Sequence, residues 1–459
     1  MRACNNFNGP RVGAVVSATQ AGWGFLSVRI GVERAPQQNG WEIVRPREDT
    51  RIFRRSRMAS PVKRLGRSLV LIAIGVLTLD QLALQGLMTP IVVTSGSMFP
   101  TLRGPHWKSH CPRCGRELLW DAAWGEKRTT LIRAVCPGCG KRWAEVQPGE
   151  SAKAPPVSQH SGDRILVFRG LVRPVQRWDL AAIREQNIPG LVVKRVVGLP
   201  GEKVYVKAGL LYCNEVPMRR PLPVQWEMAR LLTRCGNEDG QGLVLSADGV
   251  DKKSAEWAYS RRLTTFCPYH PAADQAERLC ANVLWSVCVV HGEPGSVFTM
   301  SAKFGDCGIE VTWSAGEHPS VAWRILAQEK PPLFQGRREL RGTIPRRIVL
   351  SSVDRRWMLL MDDTCLFTHD WDDDGSPKDA PVVLRLTVTR GEIRLREMGV
   401  WWVVPYPDGL VADAGDGFVL LGDDPHISLD SRQGGRRWRR EDVVGLVRPL
   451  RLVWGRWSP

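Results

Sequence analysis

Apolar residues in this chain recur at alternate positions in short runs, and Gly and Pro cut those runs before they reach helical length. Leu384, Leu386 and Val388 alternate with polar residues, Arg390-Gly391 turns the chain, and Ile393 and Leu395 alternate again, which predicts a hairpin. RRIVLSSV (346–353), RWMLLMDD (356–363) and TCLFT (364–368) carry the same strand signal. So do the β-branched residues after Pro90, RILVF at 164–168, LVVKRVV at 191–197 and the alternating residues 202–212. Side chains of a strand point alternately to two faces, so such runs bury one face each and must be covered by other strands. The chain holds 44 Gly and 32 Pro, enough to turn it this often. The fold class expected is mainly β. Between 214 and 295 the pattern is mixed, with helices expected around 225–233 and 273–286.

One segment departs from this pattern. Residues 69–79 (LVLIAIGVLTL) are apolar without a charge; Asp80, Gln81 and Gln85 interrupt, and apolar character resumes to Val93. A span needs about 20 residues, and 69–88 reach that length only with Asp80 inside. Lys63, Arg64 and Arg67 precede the run, and residues 1–67 carry 13 Lys and Arg against 4 Asp and Glu. Thus much of the net charge of +17 sits beside an apolar segment, which reads as membrane topology and not as a nucleic-acid surface. The expectation is a single-pass N-terminal transmembrane helix within 58–90. It would leave the N-terminus cytoplasmic, the rest outside the cell membrane, and membrane lipids as a partner. Met58 reads as the true start, with residues 1–57 disordered or untranslated.

A serine hydroxyl attacks a carbonyl only when a base takes its proton and donors receive the developing oxyanion. The chain has 8 His, none in a triad context. Lysine can serve instead if burial lowers its pKa. Ser97 lies on a Ser95-Gly96-Ser97-Met98 turn, and Lys194 lies in a strand among Leu191, Val192, Val193, Val196 and Val197. Each alone is commonplace: Ser-Gly-Ser is usually only a turn, and a lysine among valines usually snorkels to solvent.

Together with three other segments they form an ordered set: SGSMFPTL (95–102), GDRILVF (162–168), PVQRWDLAAI (174–183), VVKRVVGLPGE (192–202) and GDDPHISLDSR (422–432). This set resembles the boxes of bacterial type I signal peptidases, which remove signal peptides from exported proteins. The resemblance covers roughly 60–102, 160–213 and 416–450, and implies an antiparallel β catalytic domain in 91–102, 160–213 and 416–450. It also implies roles. Ser97 would be the nucleophile and Lys194 its base. The Ser97 amide and the Ser95 hydroxyl would form the oxyanion hole. Ser428 would orient Lys194, and Asp430 and Arg432 would form a supporting pair with Arg195 nearby. No cofactor is implied for catalysis. The partners implied are signal peptides of exported preproteins, bound as extended segments and cut after small-x-small sites. Two departures stand out: Arg177-Trp178-Asp179 replaces the family's Arg-Gly-Asp, and Gly422-Asp423-Asp424-Pro425 replaces an Asn-rich stretch. Neither is expected to touch a catalytic atom.

Residues 103–159 and 214–415 read as insertions. Cys111-Pro-Arg-Cys114 and Cys136-Pro-Gly-Cys139, each followed by Gly, lie 21 residues apart. This spacing reads as a structural Cys4 zinc ribbon or, in an oxidising compartment, as two disulfides. Residues 296–405 read as a β-sandwich of about 100 residues, similar to laminin-G-like jelly rolls. Asp372-Asp373-Asp374 reads as calcium site or solvated loop, and Trp401-Trp402 as carbohydrate platform or core. The rival functions are a self-cleaving Ser–Lys repressor, which lacks a helix-turn-helix pattern here, and an inactive membrane-anchored scaffold.

Overall fold

The computed structural model describes residues 61–84, 86–113, 115–122, 134–136, 142–143, 158–169, 173–185, 190–235, 243–247, 256–261, 282–305, 307–315, 318–327, 330–340, 347–362, 364–371, 381–425, 427–432 and 437–449. The expectations for residues 1–57, Cys114, Cys139 and Asp372–Asp374 lie outside them. The chain divides into two units, Met1–Ser68 and Leu69–Pro459. In the first, the described residues are the opening turns of the helix Pro61–Leu84. All else described belongs to the second.

A helix therefore forms where the sequence predicts one, and its apolar side chains between Leu69 and Leu79 are more than half exposed. Among the described residues, however, no helix is long and apolar enough to cross a membrane. The uncharged run is bounded by Arg67 and Asp80, short of the ~20 residues a span needs.

The site rests on a six-stranded antiparallel sheet with strand order Met88–Val92, Arg164–Phe168, Val443–Pro449, Leu180–Arg184, Leu191–Gly198, Val419–Leu421. The inner strands are buried on both faces, so Leu180, Ala181, Ala182 and Ile183 are all covered in succession. Leu180 and Ala182 pack with Met98, Leu102, Ile165 and Val193, whereas Ala181 and Ile183 pack with Val196, Phe418, Leu420 and Trp438. A four-stranded sheet adjoins, in the order Val216–Met218, Leu210–Cys213, Lys203–Lys207, Val411–Asp413. The chain thus returns to this part of the molecule by Val411, before the expected boundary at 416.

Residues 229–403 form two larger antiparallel sheets around one core. One sheet joins Ala229–Cys235, Leu243–Ser246, Val283–Gly292, Arg347–Ser351, Arg356–Met361, Thr364–Asp370 and Glu392–Val403. The other joins Glu256–Arg261, Val297–Phe304, Cys307–Ser314, Ser320–Ala327, Lys330–Glu339 and Val382–Arg390. Trp285, Trp357 and Trp402 from the first meet Phe298, Trp313 and Leu386 from the second. Burying an aromatic side chain of this kind contributes on the order of 2 kcal/mol, so the interior, more than any turn, specifies the pairing of the sheets.

Three expectations are corrected. The runs 384–388 and 393–395 do form strands, but Val382–Arg390 pairs with Val297–Phe304, and Glu392–Val403 pairs with Val283–Gly292. They are not a hairpin: Gly391, at φ +67, carries the chain from one sheet to the other, and both strands face the same core. The helix expected at 225–233 is a short helix Leu222–Glu227 followed by the strand Ala229–Cys235, and the end of the one expected at 273–286 is the strand Val283–Gly292. Apolar residues that satisfy either period were decided by tertiary pairing. Of the two readings of Trp401-Trp402 the core one holds, since they are 6% and 4% exposed.

Candidate active site

Ser97 sits in the single turn Gly96–Met98, which leaves the edge strand Met88–Val92. Phe99 closes the turn through its amide to the Gly96 carbonyl at 2.9 Å, and Leu102 bonds the Met98 carbonyl at 2.9 Å. Met98 and Leu102, each 1% exposed, are driven into the core beneath the sheet, and this burial anchors the serine between them. Ser97 is 8% exposed, while Ser95 is exposed and extended, with its hydroxyl 3.2 Å from that of Ser97.

Lys194 lies opposite Ala181 in the pairing of Leu191–Gly198 with Leu180–Arg184. Strand alternation sets it on the face of Val192 and Val196, and it is 2% exposed. Its Nζ donates to the Ser428 hydroxyl at 2.6 Å. Burial disfavours the ammonium and pulls the pKa from 10.5 down to about 8; the Asp430 carboxylate pulls it back up, and Arg432 presses it down. That shift corresponds to about 3 kcal/mol against the charged form. At pH 7 about a tenth of such lysines are neutral, against a few in ten thousand for an ordinary one.

Burial works against the charge of Asp430, but Arg432 outweighs it, and hydrogen bonds from the Gly422 amide and Ser428 add to this, so the carboxyl stays below its usual range. The Gly422 amide reaches Asp430 Oδ2 at 2.8 Å and Arg432 Nε reaches Oδ1 at 2.8 Å. Ser428 therefore accepts from Lys194 and donates to Asp430, which leaves the amine one hydroxyl partner in a set direction. Gly422 joins this group to the nucleophile. A Cβ there would stand 2.1 Å from the Ser428 hydroxyl oxygen and 2.6 Å from the Ser97 carbonyl oxygen, so both crowd one point that only glycine leaves open.

Arg195 points to the opposite face, fully buried. It is bidentate to Asp423 at 2.8 and 2.7 Å, and also reaches the Trp178 carbonyl at 2.9 Å, Glu227 at 3.0 Å and Thr101 Oγ1 at 3.2 Å. Burial alone would lower its pKa, but Asp423 reverses this and keeps it charged. The two departures lie here. Trp178 adopts φ +74, the left-handed region that glycine enters without a clash, and its carbonyl holds Arg195. The 422–425 stretch braces the site through its backbone: Gly422 abuts Ser428, and the Asp424 amide donates to the Ser97 carbonyl at 3.0 Å.

The structure thus brings Ser95, Ser97, Lys194, Arg195, Ser428, Asp430 and Arg432 into one region. Sequence reasoning missed Thr101, Glu227 and Arg230. Thr101 was within a quoted box, but nothing in the string marks Glu227 and Arg230, which come from the segment read as helix.

Of the four candidate metal ligands, Cys111 and Cys136 are described. Both are buried, in one small cluster with Leu118 and Trp120. Gly115, at φ +68, donates its amide to the Cys111 carbonyl at 2.7 Å, which closes the tight turn expected of a Cys-x-x-Cys-Gly knuckle. Among the described residues no group of three or more metal-binding side chains occurs.

No curated protein matches the chain. Solved structures similar to it include sheep galectin-11 in complex with glycerol, at 8% identity over 32% of this chain and 97% of that one, TM-score 0.22. Galectin LEC-6 of Caenorhabditis elegans is 8% identical over 33% and 99%, TM-score 0.22. A legume lectin-like domain from Entamoeba histolytica is 8% identical over 40% and 93%, TM-score 0.25. Residues 145–254 match the family model described as signal peptidase, peptidase S26, a stretch that contains Lys194 and Arg195. That match supports a place for this part of the chain in the signal peptidase S26 family, and with it a hydrolase that cuts peptide bonds.

Proposed function

We propose that this protein is a membrane-anchored serine endopeptidase that removes signal peptides from exported preproteins, cutting after small-x-small sites with a Ser97–Lys194 dyad. The observation that carries the reading is the buried Lys194 amine, held by Ser428 beside the Ser97 turn with its pKa pulled down to about 8. Neutral Lys194 takes the Ser97 hydroxyl proton as the oxygen bonds to the scissile carbonyl carbon. The negative charge moves to the carbonyl oxygen, where the Ser97 amide and Ser95 hydroxyl receive it. The resulting ammonium gives its proton to the leaving nitrogen as the C–N bond breaks. Water, deprotonated by Lys194, then cleaves the ester and restores Ser97. Asp430 and Arg432 keep Ser428 in place, and Arg195 holds the turn around Asp423.

An extended substrate adds naturally to the outer strand Met88–Val92, which leads straight into Ser95 and Ser97. The experiment is incubation of the purified full chain with a preprotein beside Ser97→Ala: cleavage is expected at the small-x-small site and lost in the variant. Equal cleavage by both refutes the dyad.

Two further parts belong to this reading. The first is a membrane anchor with the N-terminus cytoplasmic and the catalytic domain outside; it rests on Lys63, Arg64 and Arg67 before the apolar run and on the exposed apolar side chains of 69–79, a run that by itself is shorter than a span. External protease should digest residues beyond 90 in sealed cells; protection there refutes the topology. Cys111, Cys114, Cys136 and Cys139 would hold a structural zinc, which adds folding energy and takes no part in the chemistry. Residues 229–403 would then be a β-sandwich inserted between the Lys194 strand and the last catalytic box.

A further inference from the structure

The strand Ala229–Cys235 opens the two-sheet body, yet its second residue turns back toward the nucleophile. Arg230 is 6% exposed. Its Nη2 lies 3.5 Å from Asp424 Oδ2, a carboxylate whose side chain is fully buried. Its guanidinium covers the Phe99 ring at 4.7 Å and faces the Trp402 ring at 5.7 Å. Asp424 in turn donates its amide to the Ser97 carbonyl at 3.0 Å, and Phe99 closes the Ser97 turn through Gly96. One cation from the inserted body therefore touches both groups that brace the nucleophile turn. The strand itself is fixed by pairing with Val403, Trp402 and Trp401, and Arg116 bonds Thr233 Oγ1 and the Arg234 carbonyl at 2.9 and 3.1 Å.

A buried carboxylate holds its place only with an opposite charge beside it, and the cation and aromatic ring attract one another further when water is excluded. Without the guanidinium, Asp424 loses this ion pair and Phe99 the cation over its ring, so both groups that brace the Ser97 turn are held less firmly. We propose that Arg230 is a positioning residue for Ser97, through which the two-sheet body holds the nucleophile turn as an integral part of the protease. The proposal rests on the reading of Ser97 as nucleophile.

The test uses the full chain as wild type, Ser97→Ala, Arg230→Met and Arg230→Lys. Amide hydrogen exchange is followed at Asp424 and, as an internal reference, at Val196, whose amide is bonded to Asp179 in the sheet at 2.9 Å. Preprotein cleavage is followed as kcat and KM separately. Arg230→Met should exchange Asp424 at least about 10-fold faster with Val196 unchanged, and should lower kcat about 10-fold with KM and the pH limb of Lys194 retained. Global loosening would instead speed exchange at both amides. Arg230→Lys, which keeps the charge and loses the fork, should fall between and carries the test if the methionine variant does not fold. Wild-type exchange at Asp424, or wild-type kcat, in a folded variant overturns the proposal while Ser97-dependent cleavage leaves the reading intact. Cleavage that persists in Ser97→Ala overturns both.

Discussion

Replacing Gly422 by alanine puts one methyl group where the Lys194 partner and the nucleophile turn already meet. The added Cβ would lie 2.1 Å from the Ser428 hydroxyl oxygen, 2.4 Å from its Cβ and 2.6 Å from the Ser97 carbonyl oxygen. Ordinary contact begins near 3.4 Å, so one or both serines must retreat by about 1 Å. The Ser97 carbonyl is backbone, held by the Asp424 amide, and Ser428 is held by Lys194, so neither can yield as the end of a flexible side chain would. Overpacking of this kind costs roughly 1–3 kcal/mol of stability, and a displacement of about 1 Å between base and nucleophile costs on the order of 100-fold in rate. The assay is preprotein cleavage with the thermal midpoint measured on the same sample. The control is Gly75→Ala, a helical position with nothing within 4 Å of an added Cβ, which should leave kcat unchanged. A kcat for Gly422→Ala within about two-fold of wild type would refute the close approach of Ser428 and Ser97 at Gly422.

Cleavage should rise with pH through about 8, because the lowered pKa of Lys194 makes the neutral base the form that accumulates above it. Lys194→Arg keeps the charge but cannot release a proton at these pH values, so it should be as inactive as Lys194→Ala; near-normal cleavage in a pH profile of the arginine variant would sink the Ser–Lys mechanism. Arg195→Met leaves the buried Asp423 carboxylate without its bidentate partner, and calorimetry should show a loss of about 3–5 kcal/mol. Zinc should copurify at about one per chain and be lost from Cys111→Ser and Cys139→Ser, whose melting temperatures should fall; mass spectrometry that finds these cysteines paired as disulfides refutes the ribbon.

Much of the site was legible in the string. A Ser-Gly turn at Ser97 and a valine-rich strand around Lys194 follow from local rules of turn and strand, and the structure has both; Ser428, Asp430 and Arg432 were marked only by the family resemblance, and no local rule singles them out. The β class was legible too, because alternation is a property of single strands. Strand partners were not: the runs on either side of Gly391 read as a hairpin, but they belong to two sheets because the shared core of Trp285, Trp313 and Leu386 outweighs a local turn. Nor could the string show how far Lys194 is desolvated, since that depends on Ala181 from the neighbouring strand and on Ser428 from the loop after Val419–Leu421. Arg230 is the extreme case. Its neighbours Phe99 and Asp424 lie more than a hundred residues away on either side, and a charge acts through space and not along the chain. What local periodicity and spacing determine, this sequence states by itself; what depends on excluded water and distant charges, only the tertiary structure decided.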